Sequence, residues 1–87
     1  MTLSADFDTS IIELKRLVCD LTGVDEDELG NDEALFTGGL VDSLSLLNII
    51  TFVEDHFSVS VSIAEINLEN WDTLTSIEGY LKRRMEQ

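Results

Sequence analysis

The chain has 87 residues, 44% of them hydrophobic and 26% charged, and its formal net charge is −13. This length and composition predict one small globular domain without a deep substrate cavity. No Lys or Arg lies between residues 17 and 81, so the chain has no cluster of basic groups there to bind phosphates, and we expect no nucleic-acid partner. The same negative charge would attract basic patches on other proteins.

A first helix is predicted near the start of the chain, where apolar residues recur at helical spacing. Asp8 or Thr9 would cap its start, and Gly23 would follow its end. Cys19 falls off the apolar stripe and is expected to be semi-exposed, without a function. One cysteine excludes an internal disulfide, and with the lone His56 it forms no zinc cluster, so no metal is expected. The stripe comprises Phe7, Ile11, Leu14, Leu17, Val18 and Leu21.

A long polar loop is predicted over residues 22–41, with four consecutive acids at 25–28. Leu29, Leu35 and Phe36 would attach it to the core, and a helical turn is expected around residues 33–36. The acids do not fit a calcium-binding loop, because Leu29 and Phe36 stand where that template requires oxygen ligands. The acidic run therefore indicates a solvated loop.

The second predicted helix begins at Asp42 and runs to about Phe57. Its buried stripe would contain Leu46, Ile49, Ile50, Val53 and Phe57. Leu44 projects on the polar side, where an exposed apolar side chain could contact a partner. The expected partner-binding residues are Leu44, Leu47, Asn48, Thr51 and Asp55, with Ser45 partly on the same side.

The rest of the chain predicts an extended connector, a short helix and a final helix. Residues 58–62 have no partner strand, so a connector is favoured over a strand, and residues 64–67 could form a short helix. Trp71 is expected in the core, and the last helix would run over residues 73–84, with a basic end that complements its dipole. Its inward side chains would be Leu74, Ile77, Tyr80 and Leu81. The prediction is an all-α fold with three main helices and one short helix.

Ser43 is the residue of greatest interest, and the sequence does not support a catalytic role for it. A hydrolase serine needs a base within hydrogen-bond reach, but His56 lies thirteen residues further along the same helix, about 20 Å away. The G-x-S-x-G elbow is also absent. We therefore expect no enzyme. A serine in the first turn of a helix can instead be modified, since the helix start favours a phosphate and Asp42 would cap that start.

Three segments resemble the acyl and peptidyl carrier proteins. Residues 35–44 (LFTGGLVDSL) look like the attachment motif of that family, and residues 53–61 (VEDHFSVSV) resemble the end of its second helix. Residues 69–73 (ENWDT), followed by Ile77, are similar to D-alanyl carriers and to discrete carriers of aminoacyl or alkoxymalonyl units. The resemblance spans about residues 11–81. It implies a four-helix bundle, and a 4'-phosphopantetheine arm that a separate transferase moves from coenzyme A to Ser43.

Two departures from the family pattern weaken a fatty-acid assignment. Residues 60–62 (SVS) stand where fatty-acid carriers usually have a proline, and Asn48 stands where they have an acid. The expected function is therefore a discrete carrier that holds a small polar group as a thioester, for polyketide, non-ribosomal peptide or related biosynthesis. The alternatives are a fatty-acid carrier, or an acidic adaptor that docks partners through the helix over residues 43–57 without a cofactor.

The resemblance also implies partners, namely a phosphopantetheinyl transferase, an adenylating or acyl-loading enzyme, and downstream synthases or modifying enzymes. We expect residues 1–87 to be a single carrier domain, with its core at about 7–84, and to be monomeric. Residues 1–10 contain two acids and no basic region, and no apolar run approaches the length of a membrane span. A cytoplasmic protein without membrane insertion is expected.

Overall fold

Four α-helices and one 3₁₀ turn make up the fold in a computed structural model, which describes residues 4–86, with side chains from Phe7 onward. The helices are α1 (Ser4–Thr22), α2 (Ser43–Phe57), α3 (Leu68–Trp71) and α4 (Leu74–Met85), and the 3₁₀ turn spans Ile63–Glu65. No strand occurs within residues 4–86, so the predicted all-α fold is confirmed. Predictions that fall on residues 1–3 and 87, including the outer limits of the domain, lie outside the described residues.

The start of α1 differs from the prediction. The helix begins at Ser4, so Asp8 and Thr9 lie inside it and neither is its cap. Phe7 is buried and its ring packs edge-on against Phe57 of α2, with centroids 5.5 Å apart. This contact explains why the helix continues upstream of the predicted cap. The end of α1 is confirmed, because Gly23 has a φ of +77° and donates its N–H to the Cys19 carbonyl over 2.8 Å.

The burial of Cys19 corrects a second prediction, because its side chain lies in the core and is not semi-exposed. The chain reverses at Gly23, and the beginning of the loop, with Val24, lies beside the flank of α1 that carries Cys19. A loop that folds back in this way widens the buried face of a helix beyond the stripe that periodicity defines. Burial raises the pKa of the Cys19 thiol above its ordinary value.

Helix α2 follows the prediction closely, from its cap at Asp42 to its end at Phe57. Ile49, Ile50, Val53 and Phe57 are buried, whereas Leu46 is only half-buried because it lies at the edge of a surface groove. Ser58, in the left-handed conformation with a φ of 54°, ends the helix. The connector that follows is neither helix nor strand, as predicted, and the Glu54 carboxylate fixes it by accepting the N–H of Val61 over 3.0 Å.

The short helix predicted at residues 64–67 is replaced by the 3₁₀ turn and the four-residue helix α3. Asn67 separates the two, because its side-chain oxygen accepts the N–H of Asn70 over 2.9 Å and so caps the start of α3. Thr73 caps α4 in the same way, accepting the N–H of Ser76 over 3.0 Å. Trp71 is fully buried, and the four α4 side chains predicted to face inward are also buried: Leu74, Ile77, Tyr80 and Leu81.

A polar network centred on Glu65 joins the 3₁₀ turn to α4. The Glu65 carboxylate accepts the Tyr80 hydroxyl over 2.8 Å and pairs with Arg84 over 3.0 Å, while its backbone carbonyl accepts the Trp71 indole N–H over 2.8 Å. Arg84 also donates to the Ser60 carbonyl over 2.8 Å. The second half of the chain is therefore held together by side-chain bonds as well as by its apolar core. No helix within residues 4–86 has the length and apolar character that crossing a membrane requires.

Candidate functional site

Ser43 is the first residue of α2 and is exposed to solvent. The first turn of a helix leaves backbone N–H groups without intrahelical partners, and the helix dipole concentrates partial positive charge there. The hydroxyl of Ser43 is thus accessible to another protein, in a setting that favours a phosphate.

Asp42 sets the direction in which the helix leaves the loop. Its backbone is extended, with φ −99° and ψ −179°, and its Oδ1 accepts the N–H of Ser45 over 2.8 Å. The hydrogen bond from the Ser45 backbone is the main reason why the pKa of Asp42 lies below its ordinary value. The carboxylate is therefore ionised at neutral pH, and the predicted cap is confirmed.

The segment before Ser43, residues 35–42, is here called the serine loop. Leu35 is completely buried (0% exposed), and its carbonyl oxygen accepts the N–H groups of both Leu40 and Val41 over 2.9 Å. Gly38 donates its N–H to the Ala34 carbonyl over 3.1 Å, so the helical turn expected at residues 33–36 lies slightly later in the chain. Gly39 has a φ of +79°, which favours glycine. The serine loop is a closed, ordered turn.

Asp72, at the junction of α3 and α4, binds the serine loop directly. Its Oδ1 accepts the backbone N–H groups of Phe36 over 2.8 Å and Thr37 over 3.0 Å, and its Oδ2 accepts the Thr37 hydroxyl over 2.8 Å. Its backbone carbonyl accepts the N–H of Leu35 over 2.7 Å. These bonds, chiefly that from the Thr37 backbone, hold the pKa of Asp72 below its ordinary value. Sequence reasoning missed Asp72, since no local pattern links it to a loop 35 residues away.

The other side chains predicted to form the site lie along one exposed face of α2. Leu44 is 72% exposed and Leu47 58% exposed, so two large apolar side chains one helical turn apart face solvent. The remaining predicted members of this face, all exposed, are Asn48, Thr51 and Asp55. The spacing of three or four residues places these side chains next to one another on the helix.

Two further exposed apolar residues, Ile63 and Leu68, were not singled out in the sequence. Ile63 begins the 3₁₀ turn and is 88% exposed, and Leu68 begins α3. Their signal in the sequence was weak, because an isolated apolar residue in a connector is as compatible with burial as with exposure. Neighbouring them is a groove of about 190 Å³, lined by Phe36, Leu46, Ile66, Asn67, Leu68 and Trp71.

His56 lies far from Ser43, near the other end of α2. Its ring stacks on Phe52 with centroids 3.8 Å apart, and its Nδ1 is 3.1 Å from the Phe52 carbonyl oxygen. Thirteen residues of helix separate it from Ser43 by about 20 Å, so the two cannot form a nucleophile–base pair within one molecule. Within residues 4–86, no group of three or more His, Cys, Asp or Glu side chains is arranged to hold a metal ion.

Comparison with known proteins gives a consistent result. The family described as "Phosphopantetheine attachment site" matches residues 13–81. The D-alanyl carrier protein of Lactobacillus acidophilus is 37% identical over 59 residues, which cover 67% of this chain and 72% of the relative. That of Streptococcus mutans is 35% identical over 54 residues, covering 61% and 68%, and that of Lactobacillus helveticus is 36% identical over 59 residues, covering 67% and 72%.

Proposed function

Since this chain belongs to the phosphopantetheine attachment site family, whose cofactor is a covalently bonded 4'-phosphopantetheine arm, we propose that Ser43 is the residue that bears the arm. The observation that carries the proposal is the exposed hydroxyl of Ser43 at the start of α2, at the end of an ordered loop. The bound arm supplies a thiol that holds an acyl group as a thioester. Residues 4–86 would then act as one carrier domain.

In the attachment reaction, the atom of this chain that forms the new bond would be the Ser43 oxygen. That oxygen forms a bond to the phosphorus next to the pantetheine part of coenzyme A, the adenosine bisphosphate part leaves, and the hydroxyl proton passes to a base on the transferase. The first turn of α2 would stabilise the phosphate that remains on Ser43 through the dipole of the helix. Asp42 would hold this turn in place by bonding the N–H of Ser45.

Intact mass after incubation with coenzyme A and a broad-specificity phosphopantetheinyl transferase tests the assignment. The parent protein should gain the mass of one phosphopantetheine group. Ser43→Ala should gain none while keeping the parent's helicity, and Ser45→Ala, which removes the next hydroxyl in the same turn, should still be modified. A modified Ser43→Ala protein would show that the attachment residue is elsewhere. A parent protein that gains no mass would favour the adaptor without a cofactor.

The substrate class that we propose is a small polar acyl group such as an aminoacyl unit. The similar proteins named above are D-alanyl carriers, and a D-alanyl unit is small and polar. Ile50 and Val53 pack into the core, and a long chain could enter only by parting the helices. The carrier would serve D-alanylation, or a natural-product pathway that uses comparable units, in preference to fatty-acid synthesis.

Amide chemical shifts of the pantetheine, glycyl and octanoyl forms test the substrate class. A glycyl group gains little from burial, whereas each buried methylene of an octanoyl chain would gain about 0.8 kcal/mol. We expect the amide shifts of Leu46, Ile50 and Val53 to be the same in the three forms. Large octanoyl-induced shifts at these residues would indicate a carrier that shelters long chains.

The exposed face of α2 is the proposed docking surface for the transferase and for the loading and downstream enzymes. Leu44 and Leu47 would supply apolar contacts, and an acidic protein would attract basic rims on its partners. Leu44→Ala should therefore slow modification at unchanged stability. Ile12→Ala on α1 is a matched control, because Ile12 is also an exposed large apolar residue but lies on another helix.

A further inference from the structure

The Asp72 side chain ties the serine loop to the α3–α4 junction, next to the backbone bond from the Leu35 N–H to the Asp72 carbonyl. Asp72 uses both carboxylate oxygens, one for the consecutive N–H groups of Phe36 and Thr37 and the other for the Thr37 hydroxyl, over 2.8 to 3.0 Å. Bonds of this kind, from neutral donors to an ionised acceptor, are stronger than neutral ones. Asp72 is half-buried, and because its side chain is bound in three places to a distant segment, it restricts the conformation of that segment.

The restriction passes along the loop to Ser43. Thr37 and Phe36 are bound by Asp72, the Leu35 carbonyl closes the loop on the N–H groups of Leu40 and Val41, and Asp42 follows directly as the cap of α2. Each step is a hydrogen bond or a peptide bond. The approach to Ser43 from its N-terminal side is therefore determined by the α3–α4 junction.

The same contact determines one wall of the groove beside α2. Phe36, whose N–H is bound by Asp72, lines this groove together with Leu46, and Trp71 lines it from the residue next to Asp72. Phe36 therefore connects two parts of the fold: its backbone N–H is bonded to Asp72, and its side chain lines the groove. Loss of the Asp72 carboxylate would release the N–H groups of Phe36 and Thr37, while Leu35 would keep its bond to the Asp72 backbone carbonyl.

We propose that Asp72 is a positioning residue for phosphopantetheine attachment: its carboxylate holds the serine loop in the arrangement that the transferase must recognise around Ser43. This inference rests on the proposed function of Ser43. Asp72 itself contacts no reacting atom. Asp72 sets the fraction of molecules in which the serine loop has the arrangement that the transferase binds. When that fraction falls, the apparent affinity of the transferase for this protein falls in proportion.

The proposal predicts a change in KM and not in kcat for the carrier as the substrate of a phosphopantetheinyl transferase. Asp72→Ala should raise the KM for the unmodified protein about tenfold and leave kcat near its parent value, since loss of charge-assisted bonds shifts the loop equilibrium by about that factor. Asp72→Asn keeps an acceptor oxygen for the two N–H groups and should restore most of the affinity. Asp27→Ala, which removes an exposed acid elsewhere, should behave as the parent does.

Amide hydrogen exchange of the unmodified protein gives a readout that does not depend on Ser43. In Asp72→Ala the amides of Phe36 and Thr37 should exchange at least about tenfold faster than in the parent, with those of residues 23–29 unchanged. Faster exchange with an unchanged KM would overturn the proposal while leaving the function of Ser43 intact. A Ser43→Ala protein that is still modified would overturn the proposed function instead.

A milder pair of variants serves if Asp72→Ala does not fold. Thr37→Val removes only the bond from the Thr37 hydroxyl to Asp72, at an exposed position, and should raise the KM about threefold. Thr37→Ser keeps that hydroxyl and should match the parent. Equal KM values for the valine and serine variants would overturn the proposal, because the two differ at this position chiefly in the bond to Asp72.

Discussion

The two halves of the loop between α1 and α2 are built in opposite ways. Residues 23–30 carry four exposed acids in a row, and their backbone bonds are local, such as those from Glu28 and Leu29 to the Asp25 carbonyl over 3.0 and 2.9 Å. Residues 31–42 are bonded to the distant α3–α4 region, through Asp72 and through the Thr75 N–H, which reaches the Asn31 carbonyl over 3.0 Å. One connector thus contains a solvated half, attached to the core through the buried Leu29, and an anchored half, and Ser43 follows the anchored half.

Removal of the buried anchor should have the largest effect on this arrangement. Leu35→Ala leaves a cavity where a completely buried leucine stood, and we expect a loss of about 2–5 kcal/mol in the free energy of unfolding. Urea denaturation followed by circular dichroism measures it. Leu44→Ala, at an exposed leucine nearby, should change that free energy by less than about 0.5 kcal/mol. A comparable loss in both variants would place Leu44 in the core.

A pair of glycines, one from each half, gives the next comparison. A Cβ atom at Gly38 would clash with the Ala34 backbone carbonyl, whereas a Cβ atom at Gly30 would meet no heavy atom within 4 Å. Gly38→Ala should lower the free energy of unfolding by about 1–3 kcal/mol, and Gly30→Ala should leave it unchanged or raise it by up to about 1 kcal/mol. Equal effects at the two positions would contradict the distinction between the halves.

Most of the fold could be predicted because its main helices have strong local signals. α2 has a capping acid and a regular apolar stripe, and its bounds agree with the prediction. The start of α1 could not be predicted, since it depends on the contact of Phe7 with Phe57, about fifty residues away. The burial of Cys19 likewise depends on where the following loop lies. Periodicity describes a helix on its own and contains no information about what packs against its flanks.

The candidate site likewise contains residues that could be predicted from the sequence and one residue that could not. Ser43, its cap Asp42 and the exposed Leu44 follow from helical geometry applied to a short segment. Asp72 does not, because its importance arises from a turn of the fold that brings it to residues 36 and 37. In the sequence Asp72 is only an acid before the cap of the last helix. Two of the three bonds to the Asp72 carboxylate come from backbone N–H groups, and such bonds leave no pattern of side chains in the sequence.

Acid should weaken the anchored half selectively. The pKa of Asp72 is lower in the folded protein than the ordinary 3.8 of an unfolded chain, so its stabilising contribution is present above that value and is lost as the pH falls through the lowered pKa. The free energy of unfolding of the parent should therefore exceed that of Asp72→Asn by a constant amount above about pH 5, and the difference should shrink below about pH 4.

Urea denaturation over a pH series measures this difference, and Asp27→Asn controls for the loss of one negative charge. Some acid sensitivity should remain in Asp72→Asn, because hydrogen bonds also lower the pKa of Asp42 and of Glu65. A difference between parent and Asp72→Asn that is the same at about pH 3 and pH 7 would show that the carboxylate does not stabilise the fold through its charge.

The smallest expected effect concerns the solvated half. Fourteen acids and no Lys or Arg lie between residues 17 and 81, with four of the acids in the solvated half, and their mutual repulsion is strongest in the folded state. Raising NaCl from about 0.01 to 0.3 M should raise the Tm by a few degrees through screening, and millimolar divalent cations should act in the same direction. The double variant Asp25→Asn/Asp27→Asn should respond less. A Tm that is independent of both additions would mean that the acids are too far apart to interact.

The burial of Cys19 has a practical consequence for measuring the state of this protein. Its side chain is 9% exposed, and the raised pKa leaves little reactive thiolate at neutral pH. A thiol-specific chromogenic reagent, applied to the folded protein, should therefore react with the thiol of a free arm much faster than with Cys19. Because a loaded arm presents a thioester, the colour yield per molecule reports how much carrier is unloaded. Titration in denaturant, which also exposes Cys19, supplies an internal standard of one thiol per chain.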